Sequence, residues 1–395
     1  MSGFFALDTP RAVSKSGPVC SECGLFKRLR RNLDGPQIPP DAVVVVHASR
    51  CGDDDLDGAV ASALSRLEIP GPVVAIGHAA CGPIYVGEEI KLAATYCQGW
   101  LGDLLKKHRP RCIIPIGQEA ISSTISPLYG KPAGLGSIWA GRVIPDQTLN
   151  AWICPVSTEG PVPELRKLYL HTHLEQAAKV AGKNRPWPKP PGWNEMVERI
   201  YDPAKAIDAI RAAGAEAPGK LLTYDYEATA LKPEYHKQRI HSIGLAWGTG
   251  FTPERAVAIP WDLPGVPEAV RWLLTTPVPK AAANMKFEQR WTQQKLGVEP
   301  VNVVWDTQLA GHWVDPQEEG VTGLKYQAYA ELGFPIYNTE IESYLVPPLP
   351  GAMSLNTIFQ APMDSILKYC ALDGLLEYVL ARKQMKFANM PGGVF

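Results

Sequence analysis

The chain has 395 residues, 46% of them hydrophobic and 20% charged, and a net charge of -1. That length gives two domains room to bury full cores, and the composition is an ordinary globular one. The near-zero charge excludes a global field that draws the chain onto nucleic acid, so such binding must rest on local clusters. FKRLRR (26–31) and KKHRPR (106–111) are the two candidates, and either also reads as a plain solvated face. No run reaches the ~18 apolar residues of a membrane span, and the N-terminus lacks a basic start followed by an apolar core. A cytoplasmic protein with no membrane partner is therefore expected, its eight cysteines reduced and better suited to metal than to disulfides.

In chain order, AVVVVHA (42–48), PVVAIGHA (72–79) and RCIIPIGQEA (111–120) are short continuous apolar runs with helical segments between them. Such runs suit buried parallel strands, and the alternation predicts a layered α/β sheet over the N-terminal half. GKNRPWPKPPGW (182–193) then packs four prolines and three positive charges into twelve residues, which neither a helix nor a central strand survives. A boundary is placed there, with domains at 1–185 and 220–395 and a Pro-rich linker and connecting helix over 186–219. Beyond it, the runs at 221–227, 239–248 and 255–261 have turn-rich links suited to antiparallel hairpins. A helix near PEAVRWLLTT, a strand around AAANM and further helices follow, an order that resembles the ribonuclease-H-like layout.

Within KLLTYDYEATALKP (220–233), Asp225 and Glu227 stand two apart in a predicted strand and so share a face. Two carboxylates held that close repel unless a cation sits between them. NMKFE (284–288) places Glu288 at a strand-to-helix junction. In DSILKYCALDGLLEYVLARK, Ile366, Leu367, Cys370, Leu376, Val379 and Leu380 recur at helical spacing, and Tyr369 and Asp373, four apart, stack on one face. Gly374 weakens that helix by about 1 kcal/mol relative to alanine, which points to a close approach. Four carboxylates and a phenol suit two oxygen-loving divalent cations, about 3.5–4 Å apart, clamping a phosphodiester.

DYE, then NMKFE followed by DTQLAGHWVDP and GLKYQAYAELG, then YCALD, resemble the three motifs of the 3′–5′ exonuclease domain of family A DNA polymerases, in the subclass with a tyrosine in its third motif. The resemblance runs from 220 to the end of the chain. It implies that Asp225, Glu227 and Asp373 bind two Mg2+ or Mn2+ ions, that Glu288 joins them, and that Tyr369 aligns the nucleophile. The second motif of the family ends in Asp where this chain has Glu288, one methylene longer. Trp247, Phe287 and Tyr326 read as core residues or, alternatively, as aromatics that stack on single-stranded bases.

The cysteines make a second constellation. CSEC sets Cys20 and Cys23 at C-x-x-C spacing, Cys81 follows the second strand, and Cys97 lies sixteen positions later. Four thiolates suit tetrahedral zinc or a cubane cluster. With the strand pattern and RCIIPIGQEA, residues 15–181 resemble the iron–sulfur (family four) uracil-DNA glycosylases. That resemblance implies a 4Fe-4S cluster on Cys20, Cys23, Cys81 and Cys97, with zinc as the runner-up. Cys51, Cys112, Cys154 and Cys370 read as buried thiols.

The glycosylase catalytic positions do not carry over. HASRC (47–51) has Ala48 where that family has an acid, CPVS (154–157) has Cys154 where it has a histidine, and the acids of GDDDLDG (52–58) offer only a rewired site. His47 and His78 read as loop or core histidines.

The fold class expected is thus α/β throughout, a uracil-DNA-glycosylase-like α/β/α domain with a parallel sheet followed by a ribonuclease-H-like mixed-sheet domain. The function expected is 3′–5′ exonuclease action on a single-stranded DNA 3′ end. Because the family continues into several hundred residues of polymerase and this chain ends soon after YCALD, it resembles one part of a divided phage replicase. A separate family A DNA polymerase subunit is the implied partner, and the host cytoplasm the implied location if a phage encodes it. The alternatives are a stand-alone repair or RNA-trimming nuclease, a bifunctional glycosylase–exonuclease, and a non-catalytic binding subunit.

Overall fold

The computed structural model describes residues 17–27, 34–47, 65, 67, 69, 71–77, 87–234, 237–314, 321–349, 351 and 354–389. Cys51, Cys81, Ala48, His78, residues 52–58 and most of the 26–31 basic cluster lie outside the described residues. The chain divides into two compact units, Met1–Pro191 with Tyr329–Ile336 and Gly192–Ala328 with Tyr337–Phe395. No described helix is long and apolar enough to cross a membrane.

The first unit is built on a five-stranded sheet of β1 (Val43–His47), β2 (Val73–Gly77), β3 (Cys112–Pro115), β4 (Ile144–Asp146) and β5 (Ala151–Ile153), ordered β2-β1-β3-β5-β4. All neighbours run parallel except β4 against β5. Val43, Val45, Cys112 and Ile114 pack against Leu170, Leu174, Ala177 and Val180 of α5 (Pro163–Ala181), as continuous apolar runs in a parallel sheet should. The remaining described helices of this unit include α1 (Cys20–Cys23), α2 (Gly87–Tyr96), α3 (Gln98–His108) and α4 (Gln118–Tyr129).

The second unit carries a six-stranded mixed sheet ordered β11-β10-β7-β8-β9-β6. Its strands are β6 (Val197–Arg199), β7 (Leu221–Ala228), β8 (Ile240–Gly248), β9 (Arg255–Pro260), β10 (Lys280–Ala282) and β11 (Val303–Asp306). β7, β8 and β9 form an antiparallel meander, while β10 runs parallel to β7 and β11 parallel to β10. This is the ribonuclease-H-like order, with β6 added parallel to β9. Residues 192–219 belong to this unit: β6 extends the sheet, and α6 (Pro203–Gly214) buries Ala206, Ala209, Ile210 and Ala213 in its core. α6 starts where Asp202 caps the free amide of Lys205 and Pro203 takes the first helical position.

Alternation along β7 decides what faces what. Leu222, Tyr224 and Tyr226 enter the core beneath the sheet with Val257, Trp291 and Leu273 of α7 (Val266–Thr275), while Thr223, Asp225 and Glu227 face the other way. Over that second face lies α11 (Met363–Phe387), which packs on β7, β8 and β9. Its close approach falls at Gly244, which pairs with Asp225 across the β7–β8 ladder. A Cβ on Gly244 would sit 2.2 Å from the Cys370 carbonyl oxygen. At Gly374, where the sequence suggested the close approach, a Cβ would meet the β8 backbone only at 3.5 Å, an ordinary contact. The contact needs a missing side chain on the strand rather than on the helix. Thr223 Oγ1 donates to the Gly374 carbonyl at 2.7 Å and fixes the same seam from the sheet side.

Gly244→Ala is therefore expected to push α11 off the sheet and destabilise the second unit by about 1–3 kcal/mol or more, in the range of overpacked cores. Gly374→Ala should cost far less. Chemical denaturation of both variants checks the difference, and equal effects would contradict it.

Candidate metal centre

β7, α8 (Met285–Leu296) and α11 each deliver acids to one place. Asp225 and Glu227 come from the α11-facing side of β7, and Glu227 is buried. Tyr369, Asp373 and also Glu377 lie one helical turn apart in succession along α11, all buried. Glu288 lies in the first turn of α8 at 1% exposure. The entry to α8 is shaped by Asn284 in the left-handed region, φ 60°, a conformation that asparagine tolerates. Asp306, at the end of β11, clamps that turn: its carboxylate accepts from the backbone amides of Asn284 at 3.2 Å and Met285 at 2.9 Å. It also accepts from Gln308 and Leu309 at the start of α9 (Thr307–Val314).

The five sequence-selected residues are thus brought into one electrostatic neighbourhood. Burial, and then the charge of Asp373, push the Asp225 carboxyl up to about 7. Burial pushes Glu227 well up, with the charges of Asp225 and Asp373 adding to it. Glu288 is raised by burial and then by Asp225. Glu377 is raised by burial, then by Asp225, Glu288 and Asp373. Asp225 Oδ2, Glu288 Oε2 and Glu377 Oε2 are buried without a hydrogen-bond partner. Buried carboxylate oxygens without donors are costly unless a cation or proton meets them. One ligand atom each from Asp225, Glu227 and Cys370 lie within 4.8 Å of one another, a spacing one ion at 2.0–2.6 Å could span. The donor set, mainly hard oxygen, fits a divalent cation of the Mg2+ or Mn2+ type.

Several partners were not legible in the sequence. Lys325, in α10 (Leu324–Leu332), donates to Asp373 Oδ2 at 2.7 Å and to the Tyr369 hydroxyl. Its ammonium lies 4.5 Å from the Tyr369 ring centroid and 5.5 Å from that of Tyr337. Burial lowers the Lys325 pKa, but Asp373, Asp225 and Glu227 together outweigh it and hold the ammonium raised. Tyr337 donates its hydroxyl to Asp373 Oδ1. Glu377 is an added acid whose only advance signal was the four-residue step continuing from Tyr369 and Asp373. Cys370 is buried, as read, and also places its sulfur beside Asp225 and Glu227. Its Sγ donates to the Asp225 carbonyl at 3.8 Å, and burial pushes the thiol well up.

The three aromatics take the core reading. Trp247 and Tyr326 are buried, and Phe287 packs against the core. Phe359, 50% exposed, stacks on His241 at 4.7 Å with the Arg239 guanidinium 5.5 Å from its ring.

In the first unit, Cys20 and Cys23 bracket the single turn of α1, and Cys23 packs with Cys97, Leu25, Ile90 and Ala93 in one apolar cluster. The Val19 amide donates to the Tyr96 carbonyl at 2.9 Å and ties the two cysteine segments together. Cys154 is buried, and a hydrogen bond with Cys112 together with burial pushes its thiol well up.

No family model matches the sequence, and no curated protein matches it. Among solved structures, the chain is similar to the apo form of a nuclease at 16% identity, over 48% of this chain and 81% of that one, TM-score 0.35. It is similar to Brucella melitensis NrnC with bound Mg2+ at 18% identity, over 49% and 83%, TM-score 0.34. A further match is the EXD2 exonuclease domain soaked in Mn and GMP, at 15% identity over 49% and 94%, TM-score 0.22. The chemistry of the centre rests on its own geometry.

Because Asp225 and the neighbouring glutamates keep protons in the folded chain that the unfolded chain has released, their contribution falls as pH rises. It is complete below the ordinary carboxyl range near ~4 and, for Asp225, is lost as pH rises through about 7. Metal-free protein is expected to lose stability toward urea as pH rises through that window, and Asp225→Asn to flatten part of the fall. An Asp225→Asn profile as steep as wild type contradicts this.

Proposed function

We propose that the second unit is a divalent-metal-dependent 3′–5′ DNA exonuclease acting on single-stranded 3′ ends, supplying editing to a separate family A DNA polymerase subunit. One observation carries the catalytic part: acids from β7, α8 and α11 converge with buried carboxylate oxygens that no donor satisfies. Asp225, Glu227 and Asp373 would hold two Mg2+ or Mn2+ ions, with Glu288 reaching in from α8. Such ions, when bound, lower the pKa of a water and stabilise the oxygen that departs from the phosphodiester. Tyr369 holds the attacking water by a hydrogen bond. Lys325 occupies a lone pair of the Tyr369 oxygen, which leaves the phenol its own proton to donate. The exposed Phe359 ring, with Arg239 beside it, suits stacking of a base at the single-stranded end.

The first unit is assigned a DNA- or polymerase-docking role, with a 4Fe-4S cluster on Cys20, Cys23, Cys81 and Cys97. The shared packing of Cys23 and Cys97 supports that reading. Base excision needs a carboxylate or oriented water and a donor to the departing base. Cys154, a buried protonated thiol, offers no acid–base group at the position where the glycosylases carry histidine.

Wild-type protein with Mg2+ or Mn2+ is expected to shorten 3′-labelled single-stranded DNA, and Asp225→Ala to slow this by about 100-fold or more, as loss of a metal ligand should. Digestion by Asp225→Ala at the wild-type rate contradicts the assignment. Anaerobically purified protein should contain iron and sulfide in equal amounts, about four of each per chain. Zinc in place of iron would contradict the cluster. Uracil-containing DNA should stay free of alkali-sensitive sites. Co-purification with a polymerase separates the editing subunit from a stand-alone nuclease.

A further inference from the structure

We infer that Lys325 is an internal counter-cation of the metal centre, holding Asp373 in the metal-free protein and giving it up when a divalent ion binds. This deepens the reading above and rests on it. The starting point is a mismatch within the centre. Asp225, Glu227 and Cys370 present ligand atoms within 4.8 Å of one another, and Asp373 is not in that set. Both of its oxygens are engaged elsewhere, Oδ1 by the Tyr337 hydroxyl and Oδ2 by Lys325 Nζ at 2.7 Å. Yet Asp373 lies near enough for its charge to act on Asp225, Glu227 and Glu377. Each Asp373 oxygen keeps a second lone pair, but a metal that uses it meets the Lys325 ammonium on the same carboxylate, and two cations sharing that group repel unless the ammonium lets go.

Of the two, Lys325 is the donor built to release. Tyr337 carries no charge, and its ring packs with Tyr369, Ile341 and Ile358 in a fixed apolar cluster. Lys325 is a flexible stem whose side chain keeps 26% of its surface exposed, against 4% for Asp373. An ammonium and a divalent ion compete for one carboxylate oxygen, and they also repel each other at short range in a site largely closed to water. Asp225, Glu227, Glu288, Asp373 and Glu377 are five buried or half-buried acids. Lys325 supplies the positive charge that reaches their centre from a segment a hundred residues away from the acidic strand. Lys325 thus offsets part of the repulsion in the metal-free cluster alongside protons. The ammonium also stays over the Tyr369 ring, so leaving Asp373 does not require it to leave the site.

Lys325 is accordingly a positioning residue with a measurable signature: removing it should strengthen metal binding, whereas a merely structural loss would weaken it. The test is calorimetric titration of full-length protein with Mn2+. Lys325→Met is expected to bind Mn2+ about tenfold tighter or more than wild type, and Lys325→Arg, which keeps the charge, to stay within about threefold. Unchanged or weaker Mn2+ binding by a folded Lys325→Met overturns the inference. A measurement on wild-type protein covers the case where that variant does not fold. Acylation by an amine-reactive reagent, read by mass spectrometry, should modify Lys325 slowly without metal and several times faster with saturating Mg2+. Equal rates overturn the inference. Asp225→Ala separates the two readings, because it should lose Mn2+ binding if the centre is a metal site. Should Asp225→Ala bind Mn2+ as wild type does, the nuclease reading fails whatever Lys325 does.

Discussion

The close passage of α11 over the β7–β8 ladder at Gly244 is the contact on which the centre depends. The Cys370 carbonyl lies where a side chain on Gly244 would stand, so the helix and the acidic strand meet at backbone distance. That distance lets Asp373 and Glu377 influence Asp225 directly and lets the Cys370 sulfur reach the Asp225–Glu227 pair. The opposite face of β7 pays for this arrangement, since Tyr224, Tyr226 and Leu222 lock the strand into the apolar core beneath. With the strand fixed below and the helix fixed above, the acids have no freedom to relax apart.

The electrostatic consequence is a cluster that is unstable as a set of bare anions. Protons, the Lys325 ammonium and, in the proposed function, divalent ions all act to neutralise it. Asp225, raised to about 7, and the raised glutamates show the first at work. Lys325 shows the second. Donorless oxygens on Asp225, Glu288 and Glu377 leave room for the third. Glu288 starts from a helix turn clamped by Asp306, buried and close enough for the Asp225 charge to act on it.

Local pattern made much of this legible in the sequence. The two-residue step of Asp225 and Glu227 gave their common face, and the four-residue step of Tyr369 and Asp373 gave theirs, because both depend only on backbone periodicity. The meander of β7, β8 and β9 followed from apolar runs and turn residues. What stayed hidden depends on the third dimension. Lys325, although it sits in the quoted GLKYQAYAELG stretch, and Tyr337 lie 48 and 36 residues from Asp373, and only the fold brings them onto it. Gly244 is one of two glycines in the strand read over 239–248, with nothing local to single it out, while Gly374, conspicuous inside a helix, makes an ordinary contact. The helix of α6 was legible from its apolar spacing, but β6, three residues long, carries little periodicity, and nothing local showed that both complete the second unit.

The most direct test of the account is anomalous diffraction from crystals soaked in Mn2+. The account predicts an anomalous peak bounded by the carboxylates of Asp225 and Glu227, with Asp373 turned toward it and the Lys325 ammonium withdrawn from Asp373. Crystals that take up Mn2+ elsewhere while Asp225 and Glu227 stay without a peak would contradict it.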